Sequence, residues 1–420
     1  MEMDALIIIT FGFLAGAAIL INPMIGMFLT VILMPQATLP QVAGGLFGIF
    51  TAATPIKIVG GITFISVFVR YIFSPEKEDL LKATQVRLYM LFLIYLYING
   101  FSMPGFATRV NFTAFTSFAM IGFIMLVLIK DLKLFRLIVW WSVISVFFAC
   151  AGAVTSAGRG RFAGTSYGPN EFGITILPFL GLSYACLLSE RKTALRTIAI
   201  VVSAVIVFAL LMTFSRAGLA GLGLMLMVFV LKSKKKIPIF LGLAVLLFVS
   251  AVYMPSSVWE GMEERFEETE RTLEDIESAP DVDSTKRRYR MAKAAWALFL
   301  DNPVFGIGIG NYYYEFRKYE SMIAGRAHSM YLEILAEMGI VGFLLFMAVI
   351  GHTLRSLNRM IMFSKEPVNY YAYGLYLGLV GFLGAAAFLH AQQVKVLWFF
   401  VFLSAVLWKI SEPTIPEKSL

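Results

Sequence analysis

The chain has 420 residues, of which 59% are hydrophobic and only 15% charged, with a formal net charge of +8. Globular proteins average roughly 45–50% apolar and about 25% charged residues. The composition therefore excludes an ordinary soluble domain, and repeated apolar runs near the ~20 residues that cross a bilayer predict a polytopic membrane protein. The positive charge sits in short loops, where it speaks to orientation and not to nucleic acid.

In chain order, MEMD lacks a basic lead and runs straight into apolar segments, so no cleavable signal peptide is expected. Residues 5–34 are apolar apart from Asn22-Pro23, which implies either one helix with a re-entrant continuation or two short helices. Pro55 suits the first turn of a span reaching about residue 73. After the charged SPEKEDLLKATQVR come expected spans at 88–103, 112–129 and 134–152. The loop SAGRGRFAGTSYGPNEFG precedes spans at 172–188, 194–212, 217–231 and 237–254. A polar insert over 255–328 is large enough for a small subdomain, and spans at 329–350, 370–390 and 394–410 follow. The expectation is an all-α polytopic membrane protein of about twelve transmembrane helices. It divides into an N-terminal bundle (1–254), a loop subdomain (255–328) and C-terminal helices (329–420), integrated in one membrane domain. Cys150 and Cys186 lie in apolar runs, where cysteine behaves as a small hydrophobe.

Orientation follows from the basic clusters KDLK (130–133), SERK (189–192), KSKKK (232–236) and the Arg355–Lys365 loop. Even numbers of crossings separate them, so one assignment puts all four in the cytoplasm. The loop 153–171, the turn Thr213–Arg216, the insert and Gln392-Gln393 then face outward. RGR in the first of these breaks the charge rule.

The chemistry-bearing candidates gather on that outer face. His328 opens a span after Arg326. It reads either as an interfacial histidine or as a general base, since an imidazole accepts a proton near neutrality. Arg216 stands between two apolar runs too close for a wet loop, where it either snorkels to headgroups or grips phosphate with its planar fork. Arg288 lies in STKRRYR, with Arg287 and Arg290 equally eligible by composition. Arg159, Arg161, Tyr167 and Asn170 occupy the glycine-rich loop, where backbone N–H groups could approach an anion. FGIGIGN lacks the spacing of a nucleotide-binding loop and reads as a tight turn leading back to the membrane. Tyr312, Tyr313, Tyr314 and Phe316 follow as an interfacial belt or a platform for sugar rings. Glu333 and Glu337, one helical turn apart in the next span, need partners, an arginine of the site among them. His352 and His390 read as structural. No metal-ligand constellation is visible, and neither metal nor cofactor is expected.

Four pieces, GxxxGTSYGPNEFG, TFSRAG, Arg288 ahead of NPVFGIGIGN, and AHSMYLEILAEMGIVG, occur in this order over about 160–350. In them the chain resembles the O-antigen ligase and polymerase superfamily of bacterial envelope enzymes. Ser329 stands where that family commonly has Asn, and Ala292 where it often has an aromatic residue. The resemblance implies about twelve helices, a large periplasmic loop, and Arg216, Arg288 and His328 as catalytic residues. Arg159, Arg161, Asn170, Arg326, Tyr312, Tyr313 and Glu337 would then be substrate-binding. It further implies inverting transfer of a glycan from undecaprenyl diphosphate to an acceptor hydroxyl at the periplasmic face of the inner membrane. The acceptor would be lipid A–core for a ligase, or the growing glycan for a polymerase. A lipid or sugar transporter is the rival class, disfavoured because the charged residues collect on one face.

Overall fold

The computed structural model describes residues 14–35, 55–75, 79–105, 107–155, 168–232, 284–320 and 325–411, with a few single positions between them. Over these residues every regular element is a helix. The expected span at 237–254, and with it the full count of twelve, lies outside the described residues. A helical stretch over 14–21 stops at Asn22, whose side chain accepts from the Met24 N–H (3.1 Å) and starts α1 (Pro23–Leu33) with Pro23 in the first turn. Within 5–34 the helical stretches 14–21 and 23–33 are separated at Asn22, and residues 5–11 and 13 lie outside the described residues.

The remaining bundle helices are α2 (Pro55–Ile72), α3 (Thr84–Ser102), α4 (Thr108–Leu128), α5 (Leu132–Thr155), α6 (Pro169–Ser189), α7 (Thr193–Met212) and α8 (Arg216–Lys232). From the insert come α9 (Ser284–Asp301), the short α10 (Tyr312–Glu315) and a 3₁₀ turn (Phe316–Lys318). The chain then forms α11 (Met330–Phe363), α12 (Val368–Ala386) and α13 (Lys395–Ser411). Among the described residues six helices (α2, α4, α5, α6, α7 and α11) are long and apolar enough to cross a membrane. Four more (α3, α8, α12 and α13) are apolar and 17 to 19 residues long. The protein is a polytopic all-α membrane protein.

Lipid offers no hydrophobic drive for helices to meet, so close backbone approach has to hold them together. The central contact of α6 with α12 shows this. A Cβ on Gly181 would lie 2.2 Å from the Gly374 carbonyl oxygen, and one on Gly374 would lie 2.4 Å from that of Gly181. No residue but glycine fits at either position.

Helix α11 is broken inside. Gly339 leaves the helical region (φ 63°, ψ −168°), which strips hydrogen-bond partners from the carbonyls before it and the N–H groups after it. The glycine-rich segment 303–311 supplies the replacements. Ile307 and Gly308 N–H donate to Ala336 and Glu337 carbonyls (both 2.9 Å), while Ile340 and Val341 N–H donate to Pro303 (2.8 Å) and Val304 (3.3 Å). The carbonyl of Met338 accepts from the Tyr95 hydroxyl (2.7 Å). Asn99 of α3 clamps the segment from behind, donating to Phe305 O (2.7 Å) and accepting from Ile309 N–H (2.9 Å). FGIGIGN is thus more than the expected turn. It is a strap that re-enters the bundle about 14 Å below the start of α11, from the helical rise over nine residues.

The two ends of the bundle differ in character. At one end α5 and α6 are tied by Arg136 to Glu190 (2.6 and 2.7 Å), with Trp140 Nε1 as a third donor to the same carboxylate. That end also carries Lys192, Lys232 and Arg355. Helix α6, 21 residues long, places Asn170 at the opposite end, about 30 Å away. Arg216, Arg288 and His328 lie at the Asn170 end.

The strap generates a prediction. Gly306 has φ 71°, and a Cβ there would meet the Glu337 carbonyl carbon at 2.4 Å. Gly306→Ala should therefore destabilise the detergent-solubilised protein by about 2–3 kcal/mol, read as a lower midpoint for loss of the monodisperse species on heating. Gly223→Ala, in open space on α8, should be neutral or mildly stabilising in the same assay.

Candidate active site

Three segments from distant parts of the chain build one cavity. The first is the α7–α8 junction. After Met212 the chain reverses through Phe214, held at φ 49°. The Ser215 hydroxyl then accepts from Gly218 N–H (3.1 Å) to begin α8. Arg216 is consequently the first residue of that helix, half-buried, with its guanidinium donating to the hydroxyls of Ser284 (3.1 Å) and Thr285 (3.2 Å).

The second segment is the start of α9. Two of its three arginines meet different surroundings. Arg290 is spoken for by Glu320, through Nε (2.6 Å) and Nη2 (3.0 Å), which ties α9 to the 3₁₀ turn. Arg288, two residues earlier, lines the cavity with Arg216. The structure thereby distinguishes residues that composition left equal.

The third segment is Ala327–Ser329. Ser329 caps α11, and His328 before it is held at φ 51°. Positive φ is uncommon outside glycine and asparagine. Among the described residues Phe214 and His328 are the two non-glycine cases, and each flanks or lines this cavity. The His328 Nδ1 is buried and, among the described residues, has no hydrogen-bond partner. Burial first, then repulsion from Arg288, His390 and Arg287, lowers its pKa to about 4. The imidazole is neutral at pH 7.

The cavity measures about 500 Å³ and is lined by Arg216, Arg288 and His328 together with Thr285, Tyr289 and Ser329. Ala217, Ala220 and Ala292 keep its walls short, Ala292 being the small residue noted above. Two guanidiniums and a helix N-terminus beside a neutral imidazole can hold an anionic group and take a proton from a neighbour.

The other expected site residues fall elsewhere. Arg159, Arg161 and Tyr167 lie outside the described residues. Asn170 is half-buried in the first turn of α6. Arg326 pairs with the buried Glu333 (3.0 Å), which also accepts from Gln392 Nε2 (2.9 Å). Glu337 is buried and accepts from Tyr312 N–H (3.2 Å), so it fixes the end of the strap and does not line the cavity. Tyr312 is fully buried, its hydroxyl on the Met291 carbonyl (2.7 Å). Burial keeps that hydroxyl protonated by raising its pKa. The expectation of Tyr312 as a sugar platform is corrected, because its ring packs with Met291, Leu298 and Phe316 beneath α9. Tyr313 and Tyr314 remain exposed. Sequence reasoning missed Ser284 and Thr285, the anchors of Arg216. It also set aside His390, whose ring centroid lies 6.3 Å from that of His328. The motif STKRRYR held the first two in plain view, but hydroxyl partners have no spacing signature. Among the described residues no three His, Cys, Asp or Glu are placed to hold a metal ion.

Residues 179–347 match the family model described as O-antigen ligase, and the match contains all three cavity-lining candidates. Over these residues the chain is similar to the O-antigen ligase family. The chain is also 26% identical over 304 residues to the teichuronic acid biosynthesis protein TuaE of Bacillus subtilis (strain 168), an alignment covering 64% of this chain and 60% of that protein.

Within the matched region, Arg290 and Arg288 should separate cleanly. Arg290→Met leaves Glu320, only 7% exposed, without its ion-pair partner and should cost about 3 kcal/mol of stability. The double variant Arg290→Met/Glu320→Leu should recover most of that loss in a thermal unfolding series.

Proposed function

We propose that the protein is a membrane glycosyltransferase of the O-antigen ligase type. It moves a glycan from undecaprenyl diphosphate to an acceptor hydroxyl, lipid A–core, at the periplasmic face of the bacterial inner membrane. The observation that carries this reading is the shared cavity of Arg216, Arg288 and His328, at the end of the bundle opposite the basic loops. By the excess of Lys and Arg in cytoplasmic loops, that end faces outward.

The chemistry follows from the residues. The acceptor oxygen attacks the anomeric carbon of the donor sugar from the face opposite the diphosphate. The carbon–oxygen bond to the β-side phosphate breaks with inversion, and the electron pair leaves on the diphosphate, which stays on its lipid. Arg216 and Arg288 stabilise that developing charge as preorganised donors. His328, neutral beforehand, takes the hydroxyl proton and later returns it to water. Holding two lipid-anchored substrates in one place lowers the entropic part of the barrier.

A polymerase that lengthens the glycan on its carrier is the second reading. The similarity to a protein named for teichuronic acid biosynthesis favours it, since that name speaks of making a glycan. A transporter is disfavoured by the gathering of these cations at one end.

The decisive assay gives the purified protein in lipid a labelled undecaprenyl-diphosphate glycan, with and without lipid A–core. His328→Ala should abolish transfer while leaving the folded yield unchanged, and unaltered turnover would remove the proposed base. Arg216→Lys should lower kcat/KM by roughly a hundredfold or more, because a point charge lacks the fork. A variant near the wild-type rate would reduce Arg216 to an anchor.

The pH profile provides a separate check. Burial and the neighbouring cations lower the pKa of His328 to about 4 from an ordinary 6.5, so kcat/KM should hold its plateau well below pH 6.5 and fall only as the imidazole protonates. Bound diphosphate offsets the arginines and raises that pKa, so the acid limb of kcat should lie at higher pH than that of kcat/KM. An acid limb of kcat/KM at 6.5 or above contradicts the assignment.

A further inference from the structure

A second cavity, of about 280 Å³, lies on the far side of the two histidines. Its polar wall comprises Glu171, Thr175, Arg326, His390, Gln392 and Lys395. It shares two chain segments with the first cavity. Arg326 leads into Ala327 and His328, while His390 and Gln392 follow Ala387 and Phe388. The rings of His328 and His390, 6.3 Å apart between centroids and inclined at 72°, stand at the junction.

The chemistry of the two compartments differs. The first presents guanidiniums and a helix N-terminus, which suit an anion. The second balances its cations with acceptors. Arg326 is already paired with Glu333 (3.0 Å), and Glu171 faces His390 at 4.0 Å. Gln392 carries the most telling atom. Its Nε2 donates to the Glu333 carboxylate (2.9 Å), which leaves Oε1 as the remaining acceptor of the amide. Gln392 is 2% exposed, and that oxygen has no partner among the described residues. The Nδ1 of His390 is likewise buried without one. Buried acceptors are ordinarily satisfied, so two orphans on side chains that line one cavity point to a ligand whose O–H or N–H donors reach them once it is seated.

We infer that this second cavity seats the acceptor sugar, with Gln392 Oε1 and His390 Nδ1 receiving ring hydroxyls so that a neighbouring hydroxyl reaches His328. The assignment rests on the transferase reading and deepens it: donor diphosphate and acceptor sugar occupy separate compartments that meet at the histidine pair. Arg326 and Lys395 supply donors to the sugar oxygens, and Pro35 and Val394 give an apolar surface for its C–H face.

Cysteine protection tests it on the full chain in nanodiscs. Cys150 and Cys186 are both buried, so a water-soluble thiol reagent reports on an introduced cysteine. Thr175→Cys probes the second cavity and Ala220→Cys the first. The probes are undecaprenyl diphosphate, the oligosaccharide released from the native carrier by mild acid, and the core oligosaccharide released from lipid A. At ten times its Kd, one of the two oligosaccharides should slow labelling of Thr175→Cys about tenfold. It should leave Ala220→Cys unaffected. Undecaprenyl diphosphate should do the reverse. Adding His390→Phe should remove the oligosaccharide effect and keep that of undecaprenyl diphosphate. The inference is overturned if neither oligosaccharide protects Thr175→Cys, or if undecaprenyl diphosphate protects both positions alike. Failure of undecaprenyl diphosphate to protect Ala220→Cys would instead strike the donor assignment, leaving an observed sugar site intact. Which oligosaccharide protects separates ligase from polymerase.

Discussion

The architecture depends on a repair to a broken helix. Within a bilayer each unpaired backbone group costs several kcal/mol, so a spanning helix cannot simply be interrupted. Helix α11 is interrupted at Gly339, and the strap 303–311 restores two donors and two acceptors that the break removes. Asn99 and Tyr95 of α3 complete the arrangement with side-chain hydrogen bonds. The same contact fixes the insert to the bundle. Because α9 leads into the strap and α10 leads out of it, Arg288 is positioned against Arg216 by a backbone pairing formed inside the bundle, at the break in α11. Val304 and Phe305 of the strap are exposed, as suits residues that face lipid.

On this frame the charges sort into two kinds. Some cations are matched to a carboxylate and hold elements together: Arg136 with Glu190, Arg290 with Glu320, Arg326 with Glu333. The first two join separate elements, and the third ties the segment before α11 to its first turn. Arg216 is held differently, its guanidinium donating to the hydroxyls of Ser284 and Thr285. His328 belongs with it. Buried beside cations, the imidazole stays neutral, and a proton acceptor that is neutral before the reaction gains from any anion that arrives. The proposed donor brings one.

The backbone around the site is also held away from its easiest conformations. Phe214 and His328 both sit at positive φ, one aiming the first turn of α8 and the other turning a side chain into the cavity just ahead of the Ser329 cap. Local strain of this size, about 1–3 kcal/mol for each residue, persists only where the surroundings over-determine it. Here the packing of Phe214 with Met212, Phe162 and Phe208, and of Ala327 beneath α9, does so.

Much of this was legible from one-dimensional pattern. Apolar runs of membrane length, basic loops at alternate junctions, and the placement of Arg216, Arg288 and His328 on one face are properties of residue type and order. The bilayer imposes them on any chain before it folds. The choice of Arg288 over Arg290, the withdrawal of Tyr312 and Glu337 into the interior, and the arrival of His390 beside His328 are not. Each depends on which surface of α9, of the strap or of the 387–395 turn meets its neighbour. An arginine facing Glu320 and one facing a cavity read alike in sequence. Tertiary packing decided those placements, because burial and pairing are set by neighbours that lie tens of residues apart along the chain.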